Sequence, residues 1–94
     1  MRVGIIGYGV VGKTRHDSIL KNTSFLVTSI SENNLQARKK IPENIEVFED
    51  YKSLIENANV DVVFISLPNK FAANATVLSL KKGLHVFCEK PPAK

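Results

Sequence analysis

Three glycines near the start of the chain, Gly7, Gly9 and Gly12, have the spacing G-x-G-x-x-G directly after the apolar run Val3–Ile6. This spacing is typical of a strand, a tight turn and a helix whose N-terminus attracts a phosphate through its dipole and its unpaired backbone N–H groups. In a dinucleotide site the first glycine permits the turn, the second lets a pyrophosphate approach, and the third lets helix and strand pack closely. The residues of this turn that we predict to bind a cofactor are Gly7, Tyr8, Gly9, Val10, Val11 and Gly12.

The same residues also fit a second phosphate-binding motif. Positions 7–14 read G-x-x-x-x-G-K-T, in which Lys13 would contact the β- and γ-phosphates of a nucleoside triphosphate and Thr14 would bind magnesium. Such a site needs an acidic residue at the end of a neighbouring strand, and the apolar run 62–65 is followed by Ser66, Leu67 and Pro68. Gly9 is required only by the dinucleotide motif. We therefore predict a dinucleotide site without a metal, and keep a phosphate-loop nucleotidase as the alternative.

Apolar strand patterns alternate with helical patterns along the whole chain. Strands are predicted at 3–6, 25–30, 45–48, 60–65 and 84–88. Helices are predicted at 11–21, with Ile19 and Leu20 pointing inward, at 33–40, from Asp50 through Ile55, and at 70–82. Asp50 is a plausible N-cap, and Gly83 fits the position after the last helix. This alternation predicts one α/β domain over residues 1–94, a Rossmann-like doubly wound parallel sheet of five strands in the order 3-2-1-4-5.

In that strand order a ligand lies across the carboxyl ends of strands one and four, where the order reverses. Four segments reach this edge: the glycine turn, Ser31–Glu32, the stretch 66–69 and the stretch 89–91. The further residues predicted to bind the cofactor are Ser31, Glu32, Ser66, Leu67, Pro68, Asn69, Glu89 and Lys90.

Composition limits the classes of function. The formal charge of +4 is mild, and the basic clusters at 38–40 and 81–82 fall at predicted helix ends, which does not favour nucleic-acid binding. No apolar run reaches the about 20 residues that cross a bilayer. The single cysteine, Cys88, fits a reducing cytoplasm and is interpreted as a small buried residue. His16 is interpreted as a surface or packing residue, and His85 as a structural residue of the last strand.

Three motifs are spread over the whole chain: G-Y-G-x-x-G at 7–12, Pro68-Asn69 after the fourth strand, and G-x-H-V-x-x-E-K-P at 83–91. In this combination the chain resembles the N-terminal domain of the glucose–fructose oxidoreductase and inositol dehydrogenase (Gfo/Idh/MocA) family. The resemblance implies an NAD- or NADP-dependent oxidoreductase that transfers a hydride between the nicotinamide and a sugar, cyclitol or related secondary alcohol. It further implies that Lys90 is catalytic, near the nicotinamide and the substrate hydroxyl, with Glu89 beside the nicotinamide ribose.

The sequence departs from the family pattern at two positions. Ala72 stands where the family often has histidine, so any contact from that histidine is missing. Ser31 stands where an aspartate commonly binds the adenosine ribose. Glu32 beside it could accept from the ribose hydroxyls, which favours NAD, whereas Ser31 with Arg38 or Lys39 nearby would tolerate the 2′-phosphate of NADP. We expect a slight preference for NADP.

The resemblance also suggests what this chain lacks. Family members carry a second, larger domain that supplies most of the substrate pocket, and we expect it to be absent from these 94 residues. We therefore predict that this chain alone binds cofactor but is inactive, and that a homo-oligomer would form through the missing domain. A free-standing dinucleotide-binding module that senses redox state is a further alternative.

Overall fold

Strands and helices alternate along the residues that the structure, a computed structural model of the protein, describes, namely 1–21 and 24–88. Their bounds are β1 Arg2–Ile6, α1 Val10–Ile19, β2 Leu26–Ser31, α2 Leu35–Arg38, β3 Glu46–Phe48, α3 Tyr51–Asn57, β4 Val62–Ile65, α4 Asn69–Lys81 and β5 His85–Cys88. The described helices include none that is both long and apolar enough to cross a bilayer.

The strands form one parallel sheet in the order β3-β2-β1-β4-β5, which confirms the predicted order. In the register of the central strands Ile6 of β1 lies beside Ser31 of β2 and Ile65 of β4. Because parallel strands end at the same edge, the loops after β1, β2 and β4 leave the sheet side by side.

Both faces of the sheet are buried, and β1 contributes to both because successive strand residues point to opposite sides. Val3 and Ile5 belong to one core cluster, which includes Ile19 of α1. Ile6 belongs to the second, together with Leu54 of α3. Helices therefore cover the sheet on both sides and fix the loops at its carboxyl edge.

The predicted start of α3 and the predicted end of α4 are confirmed. The Asp50 carboxylate accepts a hydrogen bond from the Ser53 N–H at 2.8 Å, the N-cap of α3. Gly83 has a φ of +85° directly after the Lys82 cap of α4. Two predictions were wrong. Leu20, expected to point inward, is 64% exposed and forms the C-cap of α1. Cys88 is exposed because β5 lies at the edge of the described sheet.

Candidate dinucleotide site

The glycine turn after β1 is shaped by close backbone contacts. Gly7 has a φ of +91°, and a Cβ there would lie 2.5 Å from the Ser66 carbonyl oxygen. At Gly12 a Cβ would lie 2.0 Å from the carbonyl oxygen of Gly7, because α1 passes directly over the turn. A side chain at either position would displace backbone, so the fold itself requires these two glycines.

Gly9 differs from the other two glycines of the motif. A Cβ placed on it would meet no described atom within 4 Å, its φ is −73°, and the residue is exposed. Nothing in the packing of the protein therefore requires glycine at this position. The missing side chain instead leaves the backbone open to a group that approaches from outside.

Gly9 is also the N-cap of α1, whose first turn faces the same open space. Among the described residues no side chain caps this end, and the first turn contains no acidic residue. Helix N-termini leave backbone N–H groups without intrahelical partners and carry a partial positive charge. An anion such as a pyrophosphate can bind there.

Backbone hydrogen bonds hold the ends of three strands together beneath the turn. The Gly7 N–H donates to the Ser31 carbonyl at 2.9 Å, and the Ser66 N–H donates to the Ile6 carbonyl at 2.8 Å. The structure thus brings together the segments predicted from the strand order, namely the turn, Ser31–Glu32 and the stretch that begins at Ser66.

Glu32 is tied to the glycine turn through both carboxylate oxygens. Its Oε1 accepts from the Tyr8 N–H at 2.6 Å, and its Oε2 accepts from the Asn34 N–H at 3.0 Å. Hydrogen bonds from N–H groups to a carboxylate are stronger than those between neutral groups. The charge of Glu32 is therefore held next to the turn, a contact that the sequence did not reveal.

Two hollows flank the turn, and Glu32 lines both. One, of about 140 Å³, lies toward α3 and α4 and is lined by Gly7, Ser31, Glu32, Asn33, Glu49, Asp50, Tyr51, Leu67 and Phe71. The other lies toward α1 and α2, and the residues lining it include Gly9, Lys13, Asn34 and Lys40. Both lie at the carboxyl edge of the sheet, and the two hollows are together called the crevice below. Its aromatic wall, Tyr51 and Phe71, was missed by sequence reasoning because neither residue belongs to a motif.

The segment after β4 forms the side of the crevice opposite β2. Ser66 follows the strand, Leu67 lines the first hollow, Pro68 caps α4 and Asn69 begins that helix. The buried hydroxyl oxygen of Ser66 has no hydrogen-bond partner within residues 1–21 and 24–88. Ala72, at the position of the family histidine, packs in the second core cluster instead.

Tyr8, between the first two glycines, points its side chain away from the crevice into the core. It is 3% exposed, and its hydroxyl lies 2.7 Å from Nδ1 of His16, which is 2% exposed. Burial raises the pKa of the Tyr8 hydroxyl above 10.0 and lowers the pKa of His16 below 6.5. The side chain of Tyr8 therefore belongs to the core, and His16 is a packing residue, one of the two roles predicted for it.

The ammonium group of Lys13 is paired with a carboxylate of its own helix. Its Nζ lies 3.2 Å from Asp17, one turn further along the exposed side of α1. The backbone at Gly12 packs directly against that of Gly7, the close helix–strand contact that the dinucleotide motif requires. The geometry of this helix therefore gives no support to the nucleotidase alternative.

Two predicted residues, Glu89 and Lys90, lie outside the described residues. The last described residue before them is Cys88, at the carboxyl end of β5 and paired with Ile65 of β4. His85, at the start of the same strand, is exposed, and its N–H donates to the Asp61 carbonyl at 3.1 Å. It lies at the amino edge of the sheet, opposite the crevice.

The whole chain, residues 1–94, matches the model of an oxidoreductase family with an NAD-binding Rossmann fold, Gfo/Idh/MocA. It is 33% identical to a D-glucoside 3-dehydrogenase of Escherichia coli (strain K12), over 99% of this chain and 28% of that protein. It is 30% identical to a myo-inositol 2-dehydrogenase of Thermotoga maritima, over 97% of this chain and 28% of that protein. The chain thus spans little more than a quarter of these relatives.

Solved structures agree with the sequence comparison. The scyllo-inositol dehydrogenase of Lactobacillus casei with bound cofactor NAD(H) and scyllo-inositol superposes with a TM-score of 0.84 at 30% identity. The apo form of that enzyme superposes with a TM-score of 0.88 at 28% identity. Each comparison covers 97% of this chain and 28% of the other.

Proposed function

The chain belongs to the Gfo/Idh/MocA oxidoreductase family with an NAD-binding Rossmann fold, and we propose that it is the cofactor-binding part of a dehydrogenase. The cofactor is NAD or NADP, and the substrate is a sugar, cyclitol or related secondary alcohol. The relatives named above are dehydrogenases of a glucoside and of inositols, and those names support this substrate class. The cytoplasm is the proposed location.

Gly9 is the observation that carries the proposal. It is the one glycine of the motif that the protein's own packing does not require, and it stands at the uncapped N-terminus of α1. A pyrophosphate seated there would accept hydrogen bonds from the first N–H groups of the helix. The adenosine would then extend over Ser31 and Glu32, and the nicotinamide toward the carboxyl ends of β4 and β5.

The choice between NAD and NADP depends on the residues after β2. The slight preference for NADP stays a prediction, and Glu32 is the feature that opposes it. Its carboxylate, held by the N–H groups of Tyr8 and Asn34, would lie near a 2′-phosphate and repel it. The ribose hydroxyls of NAD would donate to the same carboxylate without that repulsion.

Lys90 is the proposed catalytic residue. It follows Cys88, at the carboxyl end of β5, by two positions, and that end of the sheet is the one on which the crevice lies. An ammonium group beside the reacting oxygen stabilises the negative charge that develops as the hydroxyl proton and the hydride leave. Glu89 and Asn69 are proposed to contact the cofactor.

The proposal is tested by isothermal titration calorimetry of the 94-residue protein with NAD, NADP, and ATP with magnesium. We expect a dinucleotide to bind in the micromolar range and ATP to bind far more weakly. Lys13→Ala is the discriminating variant, because only the phosphate-loop motif needs this ammonium group on the β- and γ-phosphates. Dinucleotide binding that persists in this variant supports the proposal. Magnesium-dependent ATP binding that the variant abolishes would replace it with the nucleotidase.

A further inference from the structure

The side chains of Tyr8 and His16 form a buried pair that joins the glycine turn to α1. Besides the hydrogen bond between the hydroxyl and Nδ1, the rings meet edge to face with centroids 5.6 Å apart. Both side chains are almost completely buried, so neither can contact a ligand directly. Any effect of the pair on a ligand is therefore transmitted through the backbone of Tyr8.

Tyr8 is held by two neighbouring elements, through its backbone N–H on one side and through its side chain on the other. The Tyr8 N–H is bound by Glu32 at the end of β2, while the Tyr8 side chain is bound by His16 on α1. Gly7 and Gly9 on either side have no side chains with which to hold the turn, and glycine has the largest conformational freedom of any residue. Tyr8 is thus the residue that limits the conformations of this segment.

The environment of His16 keeps the pair neutral. Burial is the largest influence on its pKa and lowers it, Asp17 opposes this, and Lys13 adds to it. These two charged residues lie on α1 and pair with each other at the surface. From the turn His16 faces the Tyr8 hydroxyl, whose pKa burial raises. A neutral pair shares one hydrogen bond without burying a charge, which suits a fixed structural contact.

We propose that Tyr8 and His16 are positioning residues for the cofactor: their hydrogen bond holds the Gly7–Gly9 turn in the conformation that receives the pyrophosphate. This inference rests on the proposed function. It assigns to Tyr8 and His16 an effect on cofactor affinity in addition to their effect on stability. Without the hydrogen bond the turn samples more conformations, and the cofactor must order it on binding.

The test compares Tyr8→Phe, which removes only the hydroxyl, with Ile55→Val, a buried change in α3 away from the crevice. Calorimetry gives the Kd of NAD or NADP, thermal unfolding gives stability, and NMR gives the amide exchange rate of residue 8 without cofactor. We expect Tyr8→Phe to raise the Kd about fivefold, the effect of one buried hydrogen bond. We also expect faster exchange of its amide. Ile55→Val should lower the melting temperature and leave the Kd unchanged.

Variants of His16 make the test independent of the tyrosine. His16→Asn places an amide near the position of Nδ1 and should keep most of the affinity, whereas His16→Leu should lose as much as Tyr8→Phe. Because Tyr8→Phe and His16→Leu remove the same hydrogen bond, the double variant should bind the cofactor about as tightly as either single variant. Wild-type affinity in Tyr8→Phe, or additive losses in the double variant, would overturn the inference.

Failure of the proposed function would be recognised separately. If the wild-type protein binds neither NAD nor NADP, that proposal falls, and amide exchange of residue 8 alone then decides whether the pair holds the turn. An exchange rate that Tyr8→Phe leaves unchanged overturns the inference in that case too.

Discussion

Replacing Gly9 with alanine should separate cofactor binding from folding. The added methyl group would meet no atom of the described residues within 4 Å, and a φ of −73° is open to any L-residue. Alanine reduces the freedom of the unfolded chain, which stabilises by about 0.4–1 kcal/mol, but it is a poorer helix N-cap than glycine, which costs a similar amount. The free energy of unfolding should therefore stay within about 1 kcal/mol of the wild-type value.

The effect on binding should be much larger. The methyl group points into the space from which a pyrophosphate would approach the N-terminus of α1, so the phosphates can no longer reach the first N–H groups at hydrogen-bonding distance. Losing one hydrogen bond to a charged group costs about 1.5–3 kcal/mol, which corresponds to an increase of about 10- to 150-fold in the Kd.

Gly12→Ala provides the opposite pattern. Its Cβ would lie 2.0 Å from the Gly7 carbonyl oxygen, so α1 must move away from the turn, and we expect a loss of about 3 kcal/mol or more of stability. Urea unfolding gives the stability of both variants, and calorimetry with NAD and NADP gives their affinity. A Gly9→Ala protein that binds its dinucleotide as tightly as the wild type would show that the pyrophosphate does not lie over this turn.

Three further outcomes are expected. The pKa of His16 is lowered in the folded state, so the unfolded chain takes up a proton first as the pH falls. The stability that is present above pH 6.5 should therefore be lost as the pH falls below 6.5. Urea unfolding at several pH values would show this dependence, and His16→Asn should remove it. Glu32→Gln should lower the ratio of the NADP Kd to the NAD Kd by about tenfold, because it removes the charge that repels the 2′-phosphate; an unchanged ratio in calorimetry would exclude that charge as the cause. In a full-length enzyme that contains this chain, Lys90→Met should abolish alcohol oxidation, followed by NAD(P)H absorbance, while cofactor affinity changes little; retained turnover would remove Lys90 from the mechanism.

Most of the fold could be predicted because its signals are local. Apolar runs of four to six residues, a capping aspartate at Asp50 and a glycine after α4 are read from short stretches, and alternation of strand and helix then restricts the sheet to few topologies. The strand order in turn placed the glycine turn, Ser31 and Ser66 at one edge. The exposure of Leu20 and Cys88 was predicted wrongly, because burial depends on neighbours that are distant in the sequence.

By itself the sequence determined that a glycine-rich turn follows the first strand, and which segments accompany it, since the spacing of glycines and the order of elements are properties of the chain. Only the tertiary structure decided how that turn is held. Glu32 lies 24 residues from Tyr8, and its side chain reaches the Tyr8 N–H because β2 pairs with β1 in one particular register. The contact of Tyr8 with His16 likewise depends on how closely α1 packs over the turn, which no local pattern specifies.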